Sequence, residues 1–160
     1  MGKRNKTALI QALREALAAE LNLMREAQRA VAEGATHEEA KAEDDKDTRA
    51  IEQSYLARGQ AVRVEELEAA LAAVSRMVPR SFGEDDPIAV GALITTKEAD
   101  AERLLFLAAD GGGTELEGGA IVVVTLRAPL GRALLGKVSG EVIELGARAR
   151  VRSIEIVSVE

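Results

Sequence analysis

Residues 64–78 read VEELEAALAAVSRMV, and the apolar positions in this stretch decide the fold of the N-terminal half. These positions are separated alternately by three and four residues, the heptad spacing of a helix that packs along another helix. They are Val64, Leu67, Leu71, Val74 and Val78. Pro79 follows directly, and a proline cannot continue a helix, so the pattern predicts a helix over residues 47–78.

The first half of this helix has a weaker pattern, with Ile51, Tyr55 and Val62 placed around Gly59. Proline is absent from residues 47–78, so nothing in this half demands a break before Pro79. We therefore expect one continuous helix whose better-defined apolar seam lies in its second half.

Residues 5–33 predict a partner for this helix, because they are rich in good helix formers and contain neither Gly nor Pro. The apolar positions step by three or four residues, as one helical face requires. They are Ile10, Leu13, Leu17, Leu21, Met24, Ala27 and Val31. Gly34 is expected to end this helix. Two amphipathic helices joined by a short segment cannot bury their stripes separately, so residues 1–79 are predicted to form an antiparallel coiled-coil hairpin.

The periodicity changes after Pro79, where short β-branched segments alternate with Gly and Asp turns. The expected strands are residues 88–95, 103–107, 120–126, 141–145 and 151–159. Residues 129–136 predict a short helix, with Pro129 in its first turn and Gly136 at its end. Residues 82–160 are thus predicted to be a small β-rich domain with one helix, which makes the fold class α+β.

Composition excludes several functional classes. The chain of 160 residues has no cysteine and a single histidine, His37, so thiol nucleophiles, thiolate metal sites and serine–histidine catalysis are disfavoured. The net charge of −6, with no basic excess in either half, argues against general binding of duplex DNA. No stretch approaches the roughly 18 apolar residues of a membrane span. A cytoplasmic protein with no membrane partner is expected.

Residues 34–47, between the two predicted helices, hold the plentiful reactive groups: six carboxylates and only two lysines. One interpretation is helix capping, with Thr36 and Glu39 as a capping box and the aspartates near residue 47 capping the second helix. The other is metal binding, because carboxylate oxygens suit Mg²⁺, which one or two carboxylates commonly hold together with phosphates and water. The segment brings no base, nucleophile or enclosing pocket, so it could only complete a site in another protein.

The C-terminal half carries the most specific motif. Residues 128–137, APLGRALLGK, are followed by GEVIE at 140–144 and the closing segment IEIVSV at 154–159, and residues 86–91 read DPIAVG. This set resembles the signature of the GreA/GreB family of bacterial transcript-cleavage factors, in which the first position is Ser where this chain has Ala128. The resemblance covers most of residues 82–160, and the predicted hairpin with its acidic tip matches the family architecture.

The resemblance implies a concrete function. The family's β domain, related in fold to FK506-binding proteins, docks outside RNA polymerase near the secondary channel, which the coiled coil enters. Tip acids help to hold the second Mg²⁺ of the polymerase, which itself hydrolyses backtracked RNA. By this resemblance the chain would be a monomeric accessory factor rather than an enzyme, with no cofactor of its own and only indirect contact with RNA. The expected docking residues are Pro129, Leu130, Gly131, Arg132, Gly136 and Lys137.

The family's tip motif, Gly-Asp-x-x-Glu-Asn-Ala-Glu-Tyr, is altered here, and two registers are open. Aligning Gly34 with the motif glycine puts Ala35 at the aspartate and Glu38 at the glutamate. Counting back from the second helix instead puts Asp44 and Asp47 near the acidic pair, with Asp45 between them. We favour the second register, which keeps two acids three residues apart on one helical face.

The favoured register makes Asp44 and Asp47 the expected Mg²⁺ ligands and catalytic contributors, followed by Asp45 and Glu38. Two alternatives to a cleavage factor stay open. One is a regulator that occupies the secondary channel without stimulating cleavage. The other is a generic coiled-coil interaction module with an unrelated partner.

Overall fold

A computed structural model describes residues 4–38, 46–147 and 150–160, with side chains described at 4–34, 48–147 and 150–160. Two long helices, α1 (Lys6–Glu38) and α2 (Lys46–Ser75), precede a mixed sheet and one short helix. The remaining elements are β1 (Leu93–Glu98), β2 (Ala101–Leu107), β3 (Glu115–Leu116), β4 (Ile121–Val124), α3 (Pro129–Leu134), β5 (Val142–Leu145) and β6 (Arg152–Val159). The predicted α+β class, a helical hairpin followed by a β domain with one helix, is confirmed.

The first helix does not end at Gly34. α1 continues to Glu38, and Gly34 does not adopt the left-handed backbone of a C-terminal cap. A glycine inside a helix costs about 1 kcal/mol relative to alanine, which weakens the helix without stopping it. Thr36 is therefore a helical residue, and its predicted role as the N-cap of a separate turn is wrong.

The second helix ends earlier than its heptad pattern indicates. α2 stops at Ser75, and the amides of Arg76 and Met77 donate tightened, three-residue hydrogen bonds to the carbonyls of Ala73 and Val74. Val78 is 71% exposed, so its expected place in the seam is wrong. The cause is Pro79, which disfavours the helical conformation in the residue before it.

The base of the hairpin packs as predicted in its other positions. Ile10, Leu13 and Leu17 of α1 share one core with Leu67 and Val74 of α2, while Met24 and Leu71 are half-buried at its margin. Two surface ion pairs also join the helices, Arg25 with Glu68 and Arg63 with Glu20, both at 2.5 Å. Apolar burial carries this contact, because exposed ion pairs each contribute well under about 1 kcal/mol.

The same core continues into the sheet and anchors the hairpin. The sheet has the order β3-β4-β2-β1-β6-β5, in which β2 and β4 run parallel and the other neighbouring pairs run antiparallel. Its face against the helices contributes a set of buried apolar side chains. They are Leu93, Phe106, Ala108, Leu116, Ile121 and Val123. The opposite face forms a second core with α3 and Phe82.

Most of the predicted strands lie within two residues of the observed ones, and two larger differences remain. The first strand begins at Leu93 instead of Ile88, because Gly91 turns the backbone at φ 98° and the amide of Ile88 donates to the Lys137 carbonyl at 2.8 Å. β3 was not predicted, since a two-residue strand has no periodicity to detect.

Among the described residues, neither long helix has a sufficiently long apolar stretch to span a membrane.

Gly59 offers a direct test of the helical arm. It lies in the interior of α2, and no described atom would come within 4 Å of an added Cβ. We expect Gly59→Ala to raise the free energy of unfolding by about 1 kcal/mol, because alanine is the better helix former and restricts the unfolded chain. Urea unfolding followed by circular dichroism measures this. Gly91→Ala, at a φ of 98°, is the opposite control and should destabilise; a less stable Gly59→Ala would contradict the continuous helix.

Candidate functional site

The distal end of the hairpin is where the predicted tip acids belong. Glu38 is the last residue of α1 and Asp47 the second of α2, so the two helix ends bring these positions to the same end of the hairpin. Asp44 and Asp45 lie outside the described residues, as do the side chains of Glu38 and Asp47. The 17 residues that separate Glu38 from Leu21, a buried position of α1, correspond to an arm about 25 Å long.

The two helix ends at the distal end of the hairpin have opposite electrostatic effects on a nearby carboxylate. The N-terminus of α2 carries a partial positive charge that favours a carboxylate at Asp47, whereas the C-terminus of α1 disfavours one at Glu38. The helix dipoles therefore favour Asp47 over Glu38 as a capping carboxylate. Within the described side chains, no three carboxylate or imidazole groups converge as a metal site would need.

The sides of the arm are solvent-exposed. Every described residue from 48 to 59 of α2 is exposed, including Ile51 and Tyr55. The seam with α1 is continued instead by the half-buried Gln60 and Val64. The Gln60 Oε1 atom is buried and has no hydrogen-bond partner among the described residues. Val62 precedes Val64 by two residues, which is about 200° around the helix, so its side chain lies on the face of α2 away from the seam.

We call residues 129–137, which comprise α3 and the three residues after it, the α3 segment. It contains the six expected docking residues, and three of them have clear roles in the fold. Pro129 begins α3, where its missing N–H is not needed. Gly131 is buried so closely against Thr125 that a Cβ would overlap the Thr125 carbonyl oxygen. Gly136 has a φ of 76° and donates its amide to the Ile88 carbonyl at 2.8 Å. These three signature residues are therefore needed for the backbone conformation and packing of the segment itself.

The other three residues differ in how much surface they offer. Leu130 is half-buried against the second core. Arg132 is exposed, and its guanidinium donates to the Arg127 carbonyl at 2.7 Å, which fixes its direction. Leu135, which the sequence analysis did not single out, is an exposed large apolar side chain in the same short segment.

Lys137, the last of the expected docking residues, is tied into a small network. Its Nζ lies 3.0 Å from a carboxylate oxygen of Glu141, whose other oxygen accepts the Val138 amide at 2.8 Å. The Val138 hydrogen bond, followed by that of Lys137, lowers the pKa of Glu141. Lys137 thus belongs to the hydrogen-bonded turn that connects α3 to β5.

A buried lysine joins the hairpin to the β domain, and sequence analysis gave no sign of it. Lys6 is only 9% exposed and donates to the Arg80 carbonyl at 2.6 Å and to the Glu160 carbonyl. Its ammonium also lies 4.5 Å from the centre of the Phe82 ring, and the Arg80 guanidinium lies 5.2 Å from it. The contacts fix the start of α1 against residues from two distant parts of the chain, beside a cavity of about 220 Å³.

A polar cleft of about 190 Å³ lies on the other side of the hairpin base, between α1, α2 and residues 110–114. Arg63 pairs there with Glu20 at 2.5 Å and Glu66 at 3.4 Å, and the hydrogen bond to the Glu20 carboxylate raises the pKa of Arg63. Asp110 pairs with Arg127 at 3.1 Å. The Arg63 pairs lie within the hairpin and the Asp110–Arg127 pair lies within the β domain, so each of these charges is neutralised by its own part of the chain.

Comparison with known proteins gives matches among solved structures alone. No family model matches the chain, and no curated protein does either. A solved structure of the transcription factor Gfh1 shares 20% identity over 92% of this chain and 93% of its own, with a TM-score of 0.40.

Two further solved structures show the same level of similarity. GreA factor homolog 1 of Thermus thermophilus shares 19% identity over 93% and 95% of the two chains, with a TM-score of 0.39. A prokaryotic transcription elongation factor GreA/GreB from Nitrosomonas europaea shares 22% identity over 62% of this chain and 90% of its own, with a TM-score of 0.37.

Proposed function

We propose that this chain is a Gre-type transcription elongation factor, an accessory protein that binds bacterial RNA polymerase and stimulates cleavage of backtracked RNA. The observation that carries the proposal is the exposed helical arm, which is anchored at its base to the sheet and has the carboxylate-rich segment at its far end. An arm of this length can reach into a channel and present acids there. The signature in residues 128–137 supports the same assignment.

The chemistry proposed for the tip is metal completion. Mg²⁺ in nucleotidyl-transfer sites is typically held by few protein carboxylates and retains water or phosphate ligands, so an incoming carboxylate can join its shell. Asp44 and Asp47 are the proposed ligands of a Mg²⁺ shared with the polymerase, and Asp45 and Glu38 are the next candidates. The helical state of Gly34 supports this choice, because the register built on Gly34 places its motif inside α1.

Docking is proposed to use the exposed part of the α3 segment. Arg132 and Leu135 together offer a fixed cation and an apolar contact. Pro129, Gly131 and Gly136 contribute by shaping the segment, and Leu130 and Lys137 by holding it. A monomer that docks through this surface leaves its helical arm available to the channel.

A second candidate function is a regulator that occupies the channel without stimulating cleavage. The altered tip motif favours it, since the register on Gly34 has Ala35 where the family has an essential aspartate. It predicts the same docking surface and differs only in the tip chemistry.

Binding and cleavage assays with the cognate core polymerase test both candidates. We expect the full chain to co-purify with polymerase and to accelerate transcript cleavage in stalled, backtracked complexes. Arg132→Glu should weaken binding by about tenfold or more, because it reverses a charge that faces the partner. Arg152→Glu, an exposed arginine on β6, is the matched control and should bind normally. Binding without accelerated cleavage would select the second candidate, and no binding would leave only a generic interaction module.

A further inference from the structure

A strip of side chains on the outer face of α2 is exposed at six of its seven positions, and the seventh, Ala73, is half-buried. With about 100° of rotation per residue, its members fall within an arc of roughly 80°, about 120° away from the seam residues Leu67, Ala70 and Val74. They are Ile51, Tyr55, Arg58, Val62, Glu65, Ala69 and Ala73. We call this strip the α2 outer face. Its three large apolar members, Ile51, Tyr55 and Val62, are 56%, 70% and 49% exposed.

We propose that the α2 outer face is an interface between two copies of this chain, in which the two α2 helices lie antiparallel about a two-fold axis at Val62. The occupant is a second copy because the face is complementary to itself. A two-fold contact requires that if one residue meets another, the reverse contact also occurs. The α2 outer face meets this requirement in size and in charge.

The size pattern pairs large side chains with small ones. In an antiparallel pair centred on Val62, positions whose numbers sum to 124 lie opposite each other. Val62 then meets Val62 of the second copy, Tyr55 meets Ala69, and Ile51 meets Ala73. Alanines allow two helix backbones to approach closely, and each faces a large apolar side chain that would fill the space. Ile51 and Tyr55 lie in one half of the face, both alanines lie in the other, and Val62 lies at the centre.

The charge pattern selects the same arrangement. Arg58 lies level with position 66 of the second copy, and Glu65 is one residue away on the same side of the strip. Both side chains are exposed in the single chain. Two reciprocal Arg58–Glu65 pairs would therefore flank the central valines, as charged positions flank the seam of an antiparallel coiled coil. In a parallel pair, by contrast, Arg58 would face Arg58 and Glu65 would face Glu65.

The remaining charge near the two-fold axis is already neutralised. Arg63 follows Val62 in the sequence but lies about 100° from it around the helix, outside the strip and on the side that faces α1. Its guanidinium is paired there with Glu20 and Glu66 of the same chain. The two copies thus meet without an uncompensated pair of arginines.

The expected association is weak and reversible. From Ile51 to Ala73 the α2 outer face is about 33 Å long and one helix wide. Such a contact buries less than the roughly 800 Å² per partner of a standard stable interface, so we expect a dissociation constant in the tens of micromolar. The chain is then a monomer when dilute and a dimer when concentrated. The dimer covers the sides of the arm, so it would hold back the arm from any channel or groove that the monomer enters.

A charge-exchange experiment with the full chain tests the dimer and does not depend on the proposed function. Sedimentation equilibrium between about 5 and 300 μM should show a monomer–dimer equilibrium. Arg58→Glu and Glu65→Arg should each raise the dissociation constant by about tenfold or more, since each creates two like-charge contacts. An equimolar mixture of the two variants should restore association, because in the mixed dimer both pairs are again opposite in charge.

The control is Leu23→Glu, at a 67% exposed leucine of α1 outside the α2 outer face; it should leave the dissociation constant unchanged. Circular dichroism confirms that each variant keeps its helix content. A monomer at all concentrations overturns the proposal. Association that survives both single variants, or that fails to return in the mixture, would place any contact on a different surface and also overturns it.

Discussion

Replacing Asp44 and Asp47 together by asparagine is expected to slow stimulated transcript cleavage by about two orders of magnitude, with polymerase affinity nearly unchanged. One carboxylate contact to Mg²⁺ in a water-poor channel is worth several kcal/mol at the transition state. A loss of about 3 kcal/mol corresponds to roughly a hundredfold in rate. Affinity should persist because the proposed docking residues Arg132 and Leu135 lie at the opposite end of the molecule, on the α3 segment.

Asparagine is the informative replacement because it also caps helices, so the capping role of these positions survives in part. Helix content measured by circular dichroism should therefore barely fall. Asp45→Asn alone is the matched control and should have the smaller effect on cleavage. Undiminished cleavage in the double variant would contradict the assignment and transfer it to Glu38 and Glu39.

The hairpin could be predicted because its cause is local and repeated. Heptad spacing over Val64 to Val74 places four apolar side chains on one face, and in the structure Leu67 and Val74 are buried there while Val64 and Leu71 are half-buried beside them. The predicted end of α2 at Val78 was wrong because Pro79 stops the helix before the apolar spacing ends. The predicted end of α1 at Gly34 was wrong because a glycine without a further stop signal does not end a helix. Each error concerns one residue competing with a longer pattern, which is why it changes a boundary and not the fold.

The contacts that join the hairpin to the sheet could not be predicted. Lys6 meets the carbonyls of Arg80 and Glu160, which are far apart in sequence and carry no shared pattern. Gly111 is similar: a Cβ there would come within 2.9 Å of a Leu13 methyl group, so the loop needs a glycine to pass the helix. Only the assembled fold shows why these residue types stand where they do.

Sequence analysis put the acidic segment between two helices, and in the structure α1 ends at Glu38 and α2 begins at Lys46. The roles of the acids in this segment stay a prediction. In the α3 segment, resemblance alone treated six residues as one docking group. Packing separates them, because a motif combines residues needed to build a turn with residues that the turn presents.

Gly131→Ala is expected to destabilise the β domain severely. The added methyl group would overlap the Thr125 carbonyl oxygen, a backbone atom that cannot rotate away. Relieving the overlap requires α3 to move off the segment after β4, which would disturb Leu134 in the second core. Overpacking against backbone costs about 3 kcal/mol or more. For a chain of this size that corresponds to a fall of roughly 10 °C in the melting temperature, measurable by calorimetry.

Gly136→Ala in the same motif separates steric overlap from backbone strain. Gly136 has a φ of 76°, but no described atom would lie within 4 Å of its added Cβ. Its cost should be limited to the left-handed backbone, about 1 kcal/mol. If Gly131→Ala proved as mild as Gly136→Ala, the close approach of α3 to Thr125 would be wrong. If Gly131→Ala lowers the stability severely and Gly136→Ala only mildly, a loss of polymerase binding in Gly131→Ala reports unfolding of the β domain. Variants of Arg132 and Leu135 are then the ones that map the docking surface.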